Sequence, residues 1–442
     1  MLVPCIVRFA APRVAGWPGP KGAPQRGQPL HTRLPMAWWS AESGTCFVLG
    51  GAVAAAVSRC CGSPTAAPAP HPLPDPQPQS AEPPPPSVRS TLVGCVTLHA
   101  VIDENFTVTG FEPAVTQRAS HYEACYVGKG ISCANAVAGL GNAAAAAVLV
   151  LCGAADCDTY ESALQQHGFG AVHVIGGPAA TRRHATIIDP ASDAPVTHVQ
   201  VPGIPHPAEL FAPTHQLTTT VAAMGAEGGL VALSGSLPKG APAGFYGDLV
   251  RAIADAGGRA LVDTSGAALV EALKASPFAV KPNRGEAEAL LGRKLGDAPH
   301  EHAAAAAEIR SMYAVEWVIL SDSAAGLVAV CGAGSWHGRL RLEEAERSAV
   351  VNDQGCGDSL VAGFLSAFAE AATQASALSD MPGTPPWAQR QPQPEEVVRQ
   401  MLLSATANLF TSQPGELSQV HLQRLRDRGA IELTAIELTA LS

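Results

Sequence analysis

From Thr91 onward, short apolar runs alternate with amphipathic stretches. Thr91–Leu98, Val148–Leu151, Leu230–Leu233, Ala260–Val262, Phe278–Val280 and Trp317–Leu320 carry no charge and read as strands buried on both faces. Between them Ile131–Leu140, Phe245–Ala256, Ala267–Lys274, Glu286–Leu291 and His302–Met312 read as helices. Gly257-Gly258 stops the second of these as a C-cap. Strands alternating with helices predict an α/β fold, a mostly parallel sheet covered on both faces. Sites in such sheets lie at the carboxyl ends of the strands. Segments 103–127 and 181–201 are more polar and β-branched, and predict a small accessory sheet.

The first ninety residues follow neither pattern. Arg8, Arg13, Lys21, Arg26, Arg33, Arg59 and Arg89 face only Glu42, Asp75 and Glu82, and the stretch ends in a Pro-rich run from Pro68 to Pro86. Pro-rich sequence builds neither helices nor central strands. We read 1–90 as a leader: a transit peptide and linker, with a disordered extension as the bland alternative. Its length and Ala/Pro content favour a chloroplast, with mitochondrion or cytoplasm as alternatives. The apolar stretch Cys46–Val57 is too short for a span of about 20 residues, so no stable membrane span is expected. The folded unit is expected over 91–430, with 431–442 as a C-terminal tail.

Composition narrows the function. Of 442 residues, 47% are hydrophobic and 15% charged, which suits a large globular core. The net charge of −10 and the absence of a basic stripe argue against nucleic acid as a partner. Anionic substrates then need a local site, because the overall field repels them. Eleven cysteines without framework spacing indicate free thiols in a reducing compartment.

The sharpest constellation is Asn352-Asp353-Gln354-Gly355-Cys356-Gly357-Asp358-Ser359, ahead of the apolar helix that begins at Leu360. Glycines before a helix let backbone N–H groups converge on an anion. A carboxylate beside that cradle suits proton removal from an attacking hydroxyl, with Asp358 as the base. Alone, these residues read at least as well as a Gly turn with Asp358 capping the helix. Gly128-Lys129-Gly130 opens another helix and lacks the Ser or Thr of a Walker A loop. It reads as close backbone approach to a polar ligand, or as an ordinary turn. In Lys281-Pro282-Asn283-Arg284-Gly285-Glu286, Asn283 and Glu286 share a face at a helix start. Glu286 suits a magnesium ion held through water. A capping box is the alternative, and both readings can hold at once. Ser234–Gly240 and Asp263–Gly266 are loops at strand ends.

Taken in order, these motifs resemble the ribokinase/PfkB family of carbohydrate kinases over about 91–418. They are most similar to the branch containing 1-phosphofructokinase and tagatose-6-phosphate kinase. The runs LSGSLPKGAPAGFY, LVDTSGAAL, KPNRGEAEALLG and NDQGCGDSLVAGFL carry the likeness. The resemblance implies a three-layer α/β/α sandwich with a small β-sheet lid. It implies ATP and Mg2+ as cofactors, a sugar or sugar phosphate as acceptor, and a homodimer as one possible assembly. It makes Asp358 the base and Gly355, Cys356 and Gly357 the anion hole. Asn283, Ser321, Ser323, Gly326 and Asn408 fall on the ATP side, and Glu286 on the metal, through water. Asp103, Gly128, Lys129, Gly130, Ser132 and Arg182 fall on the acceptor side, where Arg182 suits a bidentate grip on a substrate phosphate.

The departures concentrate on the acceptor side. His99-Ala100-Val101-Ile102-Asp103 stands for Asn-Pro-Ala-x-Asp, and Ser132 stands for an asparagine. Cys356 replaces the usual alanine and Ser323 the usual glycine. The reading is ATP-dependent phosphoryl transfer to a sugar phosphate. The alternative is a weak or inactive relative serving as an organellar interaction scaffold.

Overall fold

The computed structural model describes residues 92–192, 196–226, 229–351, 353–378 and 391–437. The expected leader, including its apolar stretch, lies outside the described residues, and the first described strand follows it. That strand is β1 (Val93–Thr97), followed by β2 (Val101–Thr107), β3 (His121–Val127) and α1 (Lys129–Gly139). Next come β4 (Ala146–Gly153), α2 (Cys157–Gln165), β5 (Ala171–Gly177), β6 (Arg182–Ile188) and β7 (Val196–Val199). The chain continues through α3 (Gln216–Gly225), β8 (Leu230–Ser234), α4 (Phe245–Asp255), β9 (Arg259–Asp263) and α5 (Gly266–Leu273). Then follow β10 (Ala279–Val280), α6 (Arg284–Leu291), α7 (Pro299–Tyr313), β11 (Trp317–Ser321), β12 (Leu327–Cys331) and β13 (Gly334–Leu340). The last elements are α8 (Glu344–Arg347), α9 (Cys356–Leu378), α10 (Pro394–Asn408), α11 (Gln419–Asp427) and β14 (Ile431–Ala435).

The main sheet has ten strands in the order β14-β13-β12-β11-β10-β9-β8-β1-β4-β5. From β11 to β5 every pairing is parallel. Chain order runs outward in both directions from β1, which makes its edge with β8 the topological switch point. Ligands bind such sheets at the strand ends beside that point. Helices cover both faces. In β8, Leu230 and Ala232 join a core layer with Ile131, Phe364 and Met401, whereas Val231 and Leu233 join the opposite layer with Leu217, Leu249 and Ile309. Two buried faces explain why the strands read as continuous apolar runs rather than alternating ones.

The segments that broke the α/β pattern form a second sheet, ordered β3-β2-β6-β7. The expected three-layer sandwich with a small β-sheet is therefore the observed fold.

Three features differ from the expectation. Helix α1 starts at Lys129, so Lys129 and Gly130 lie in its first turn. The strands β12, β13 and β14 add an antiparallel edge that the apolar pattern did not announce. The sequence GSWHGRL of β13 has no clean alternation. The tail expected over 431–442 opens with β14, which pairs along β13 from Trp336↔Ala435 to Leu340↔Ile431. Such pairing depends on a partner about a hundred residues away, so local sequence does not report it. Among the described residues every cysteine is free, and no helix is long and apolar enough to cross a membrane.

Candidate active site

The strands β1, β8, β9, β10 and β11 end on one side of the main sheet, and α1 and α9 begin there. Gly130 is held in place by contact: a Cβ would lie 2.4 Å from Val96 O and 2.6 Å from Thr97 Oγ1. The Thr97 hydroxyl accepts from Ile131 N at 2.9 Å, which pins the first turn of α1 to the end of β1.

Helix α9 is anchored by Phe364 and Phe368, which pack edge-on against Trp317 and Phe278 with centroids 5.4–6.5 Å apart. Such aromatic pairs add about 0.5–1.5 kcal/mol each beyond burial. This packing fixes the helix whose first turn carries Asp358. Gly355 precedes it with φ 82°, and a Cβ there would lie 2.7 Å from Pro414 Cα. Only glycine meets both demands. The first amide to close the helical ladder is Ser359 N, to Gly355 O at 2.8 Å. The amides of Gly357 and Asp358 precede it, in the part of a helix that attracts anions.

Asp358 is buried at 7% exposure. Burial pushes its carboxyl up to about 7, and the Asp263 carboxylate adds to the rise, while the Lys129 and Lys281 ammoniums oppose it. The charges around it form a set. Lys281 Nζ lies 3.0 Å from Asp263 Oδ1, and Lys129 Nζ lies 3.6 Å from Asp263 Oδ2. Lys281 and Asp263 are both buried. A Cβ on Gly357 would lie 3.7 Å from Lys281 Nζ, which places that ammonium beside the glycine turn. Asp263 holds Lys129 above its ordinary pKa, burial works against it, and Asp358 and Glu286 add to the rise. A buried carboxyl near neutrality beside two cations can take up and release a proton at physiological pH.

Asn283 caps α6. Its Oδ1 accepts from Glu286 N at 2.9 Å, and Glu286 Oε2 accepts from Asn283 N at 2.9 Å. The capping box is therefore formed. It uses one Glu286 oxygen and leaves the other available. Among the described residues no group of three or more His, Cys, Asp or Glu could hold a metal ion. A single available carboxylate oxygen fits magnesium, which retains waters and takes further ligands from substrate phosphates.

A cleft of about 1,220 Å³ extends from the glycine turn. Asn283, Ser321, Ser323, Gly326, Cys356 and Gly357 line its polar part, and Leu360, Leu402, Ala405 and Leu409 give it an apolar wall. Ser323 has φ 44° and Gly326 φ 97°, in a loop closed by Asp322 N to Gly326 O at 2.9 Å. Arg339 and Arg341 stand at the rim, both paired with Glu432 of β14. The strand expected to be a tail thus orients two cations at the cleft. The Cys356 thiol is pushed up to about 12, chiefly by burial, so it stays protonated.

Four of the expected ligand residues make contacts within the protein. Asn408 is fully buried and does not line the cleft. Its Nδ2 donates to Gln354 O at 2.7 Å, while its Oδ1 accepts from Gly415 N at 2.6 Å and Ser359 Oγ at 3.3 Å. It therefore ties the glycine loop to α9. The Arg182 guanidinium donates to His99 O at 3.0 Å and Ala100 O at 3.4 Å, so main-chain carbonyls engage the fork expected for a phosphate. Ser132 is buried at 4% exposure in the first turn of α1, with Gly415 packed on its carbonyl. Asp103 lies on β2 in the second sheet, where its Oδ1 accepts from Thr186 Oγ1 at 2.9 Å. Lys281 and Asp263 stand inside the sequence motifs without an assigned role. Their signal was position: each directly ends an apolar strand.

The family described as pfkB family carbohydrate kinase matches residues 94–379. A 1-phosphofructokinase of Rhodobacter capsulatus is 35% identical over 300 residues, covering 65% of this chain and 89% of that protein. One from Xanthomonas campestris is 32% identical over 287 residues, covering 63% of this chain and 85% of that protein. Among solved structures, phosphofructokinase-2 from Escherichia coli in complex with potassium aligns with a TM-score of 0.65 at 23% identity, covering 77% of this chain and 99% of that chain. Ribokinase from Thermotoga maritima aligns with a TM-score of 0.53 at 16% identity, covering 76% of this chain and 99% of that chain.

Proposed function

The chain belongs to the pfkB family of carbohydrate kinases, and from that premise we propose that it transfers the γ-phosphoryl group of ATP to a hydroxyl of a hexose phosphate, fructose 1-phosphate foremost. The observation that carries the reading is Asp358, a buried carboxyl pushed up to about 7 in the first turn of α9. Its ionised form takes the proton of the acceptor hydroxyl. The acceptor oxygen then bonds to the γ-phosphorus as the bond from that phosphorus to the β–γ bridging oxygen breaks, and ADP leaves. Amides of the glycine turn and the ammonium of Lys281 face the charge that develops on the transferring group. The apolar wall of the cleft suits a nucleotide base, and its polar part suits the phosphates.

Glu286 is the residue that would hold Mg2+ through water. The bound ion would supply positive charge that offsets the charge of the phosphates. The second sheet, acting as a lid, excludes water from the acceptor side. The name shared by the bacterial relatives supports fructose 1-phosphate as acceptor.

The test follows ADP release from Mg-ATP with fructose 1-phosphate, fructose 6-phosphate, tagatose 6-phosphate, fructose, ribose and adenosine. Fructose 1-phosphate should give the highest kcat/KM. Higher kcat/KM with adenosine or an unphosphorylated sugar overturns the assignment of acceptor class.

A further inference from the structure

We propose that His198 and Gln354 form a latch between the lid sheet and the loop ahead of α9, positioning that loop for transfer when the lid is shut. The proposal rests on the kinase reading.

His198 lies on β7, the edge strand of the lid, all four residues of which are exposed. It nevertheless bonds at both ring nitrogens. Nδ1 lies 3.0 Å from Thr186 Oγ1, and Nε2 lies 2.9 Å from Gln354 Nε2. The direction of every hydrogen follows from the chemistry. Asp103 Oδ1 takes the one hydroxyl proton of Thr186 at 2.9 Å. The Thr186 oxygen therefore accepts from His198 Nδ1–H. That leaves Nε2 as an acceptor, and the Gln354 amide donates to it. Both ring nitrogens are thus engaged.

The line continues past the latch. Gln354 O accepts from Asn408 Nδ2 at 2.7 Å, and Asn408 Oδ1 accepts from Ser359 Oγ at 3.3 Å, one residue beyond Asp358. Gln354 itself adjoins Gly355. A chain of bonds therefore runs from Asp103 on the acceptor side to the turn that carries the base. Its crossing from lid to loop is an exposed bond, so the lid can open there without disturbing either core. Lid closure remakes the bond and with it the geometry of the loop. His198 is a positioning residue: it acts through Gln354 and not on the reacting atoms.

The experiment uses the full-length chain with His198→Phe, Gln354→Leu and the double variant. Turnover is measured with Mg-ATP and fructose 1-phosphate, and amide hydrogen exchange is followed over 353–359. Loss of one such bond should lower kcat by about three- to tenfold in each single variant. Both KM values should stay within about twofold, and the double variant should be no slower than the slower single. Exchange over 353–359 should accelerate in each variant and stay unchanged in β1 and β8. Losses that multiply, a change confined to KM, or unaltered exchange overturn the latch. If the wild type transfers to no acceptor, the kinase reading fails and exchange decides alone. Acceleration by His198→Phe then supports the latch, and its absence overturns it.

Discussion

Asp358→Asn should inactivate the enzyme and stabilise the fold, and both effects should depend on pH. The carboxyl is buried, and its pKa rises from the ordinary 3.8 to about 7. That rise corresponds to about 4 kcal/mol. The sign follows from proton counts. Between about pH 4 and pH 7 the folded state holds a proton that the unfolded chain has released. Wild-type stability contributed by this group therefore falls as pH rises through that window, and the full penalty stands above it. The asparagine carries no such penalty. Asp358→Asn should then exceed wild type by up to about 4 kcal/mol at pH 8 and by roughly half that at pH 5.5. Denaturant titrations at the two pH values read the difference. Turnover should fall by about 10²–10⁴, the usual contribution of a positioned base. In the wild type, transfer should rise with pH through about 7, because the base works ionised. ADP release at saturating Mg-ATP measures both. Turnover within tenfold of wild type, or a stability difference that does not grow between pH 5.5 and pH 8, refutes the reasoning.

Lys281→Met strands the Asp263 carboxylate, which keeps only Lys129 at 3.6 Å. It should cost about 3 kcal/mol, read from a urea midpoint, and slow transfer as well. Gly355→Ala meets both a φ of 82° and Pro414 Cα at 2.7 Å. It should destabilise by more than about 1 kcal/mol in thermal melts and lower kcat at least tenfold. Glu286→Gln can still accept from Asn283 N, so the capping box and stability should persist within about 0.5 kcal/mol. The Mg2+ concentration giving half-maximal rate should nevertheless rise severalfold; an unchanged magnesium dependence removes Glu286 from the metal's surroundings.

The repetition of apolar strand and helix was enough to reveal the layers, because strands buried on both faces carry unbroken apolar runs. The second sheet was legible as the place where that pattern failed. The glycine turn, Asp358 and the Asn283–Glu286 pair were legible because their geometry is set within a few residues, by a helix start and its cap. Sequence alone thus determined the fold class and the candidate base.

Tertiary structure decided the rest. Asp263, Lys281 and Asp358 are separated along the chain and become one charge cluster only when β9 and β10 end where α9 begins. The raised pKa that suits Asp358 to the proposed role of base comes chiefly from burial, which no local pattern encodes. Asn408 and Arg182 had residue types suited to ligands, but packing turned their polar groups onto backbone within the fold. Glu432 meets the two rim arginines because β14 pairs with a distant strand, and the link from His198 to Gln354 exists only where the second sheet meets the loop ahead of α9. Local sequence sets backbone geometry over a turn or two; long-range packing sets which charges share a low-dielectric space, and the chemistry depends on that.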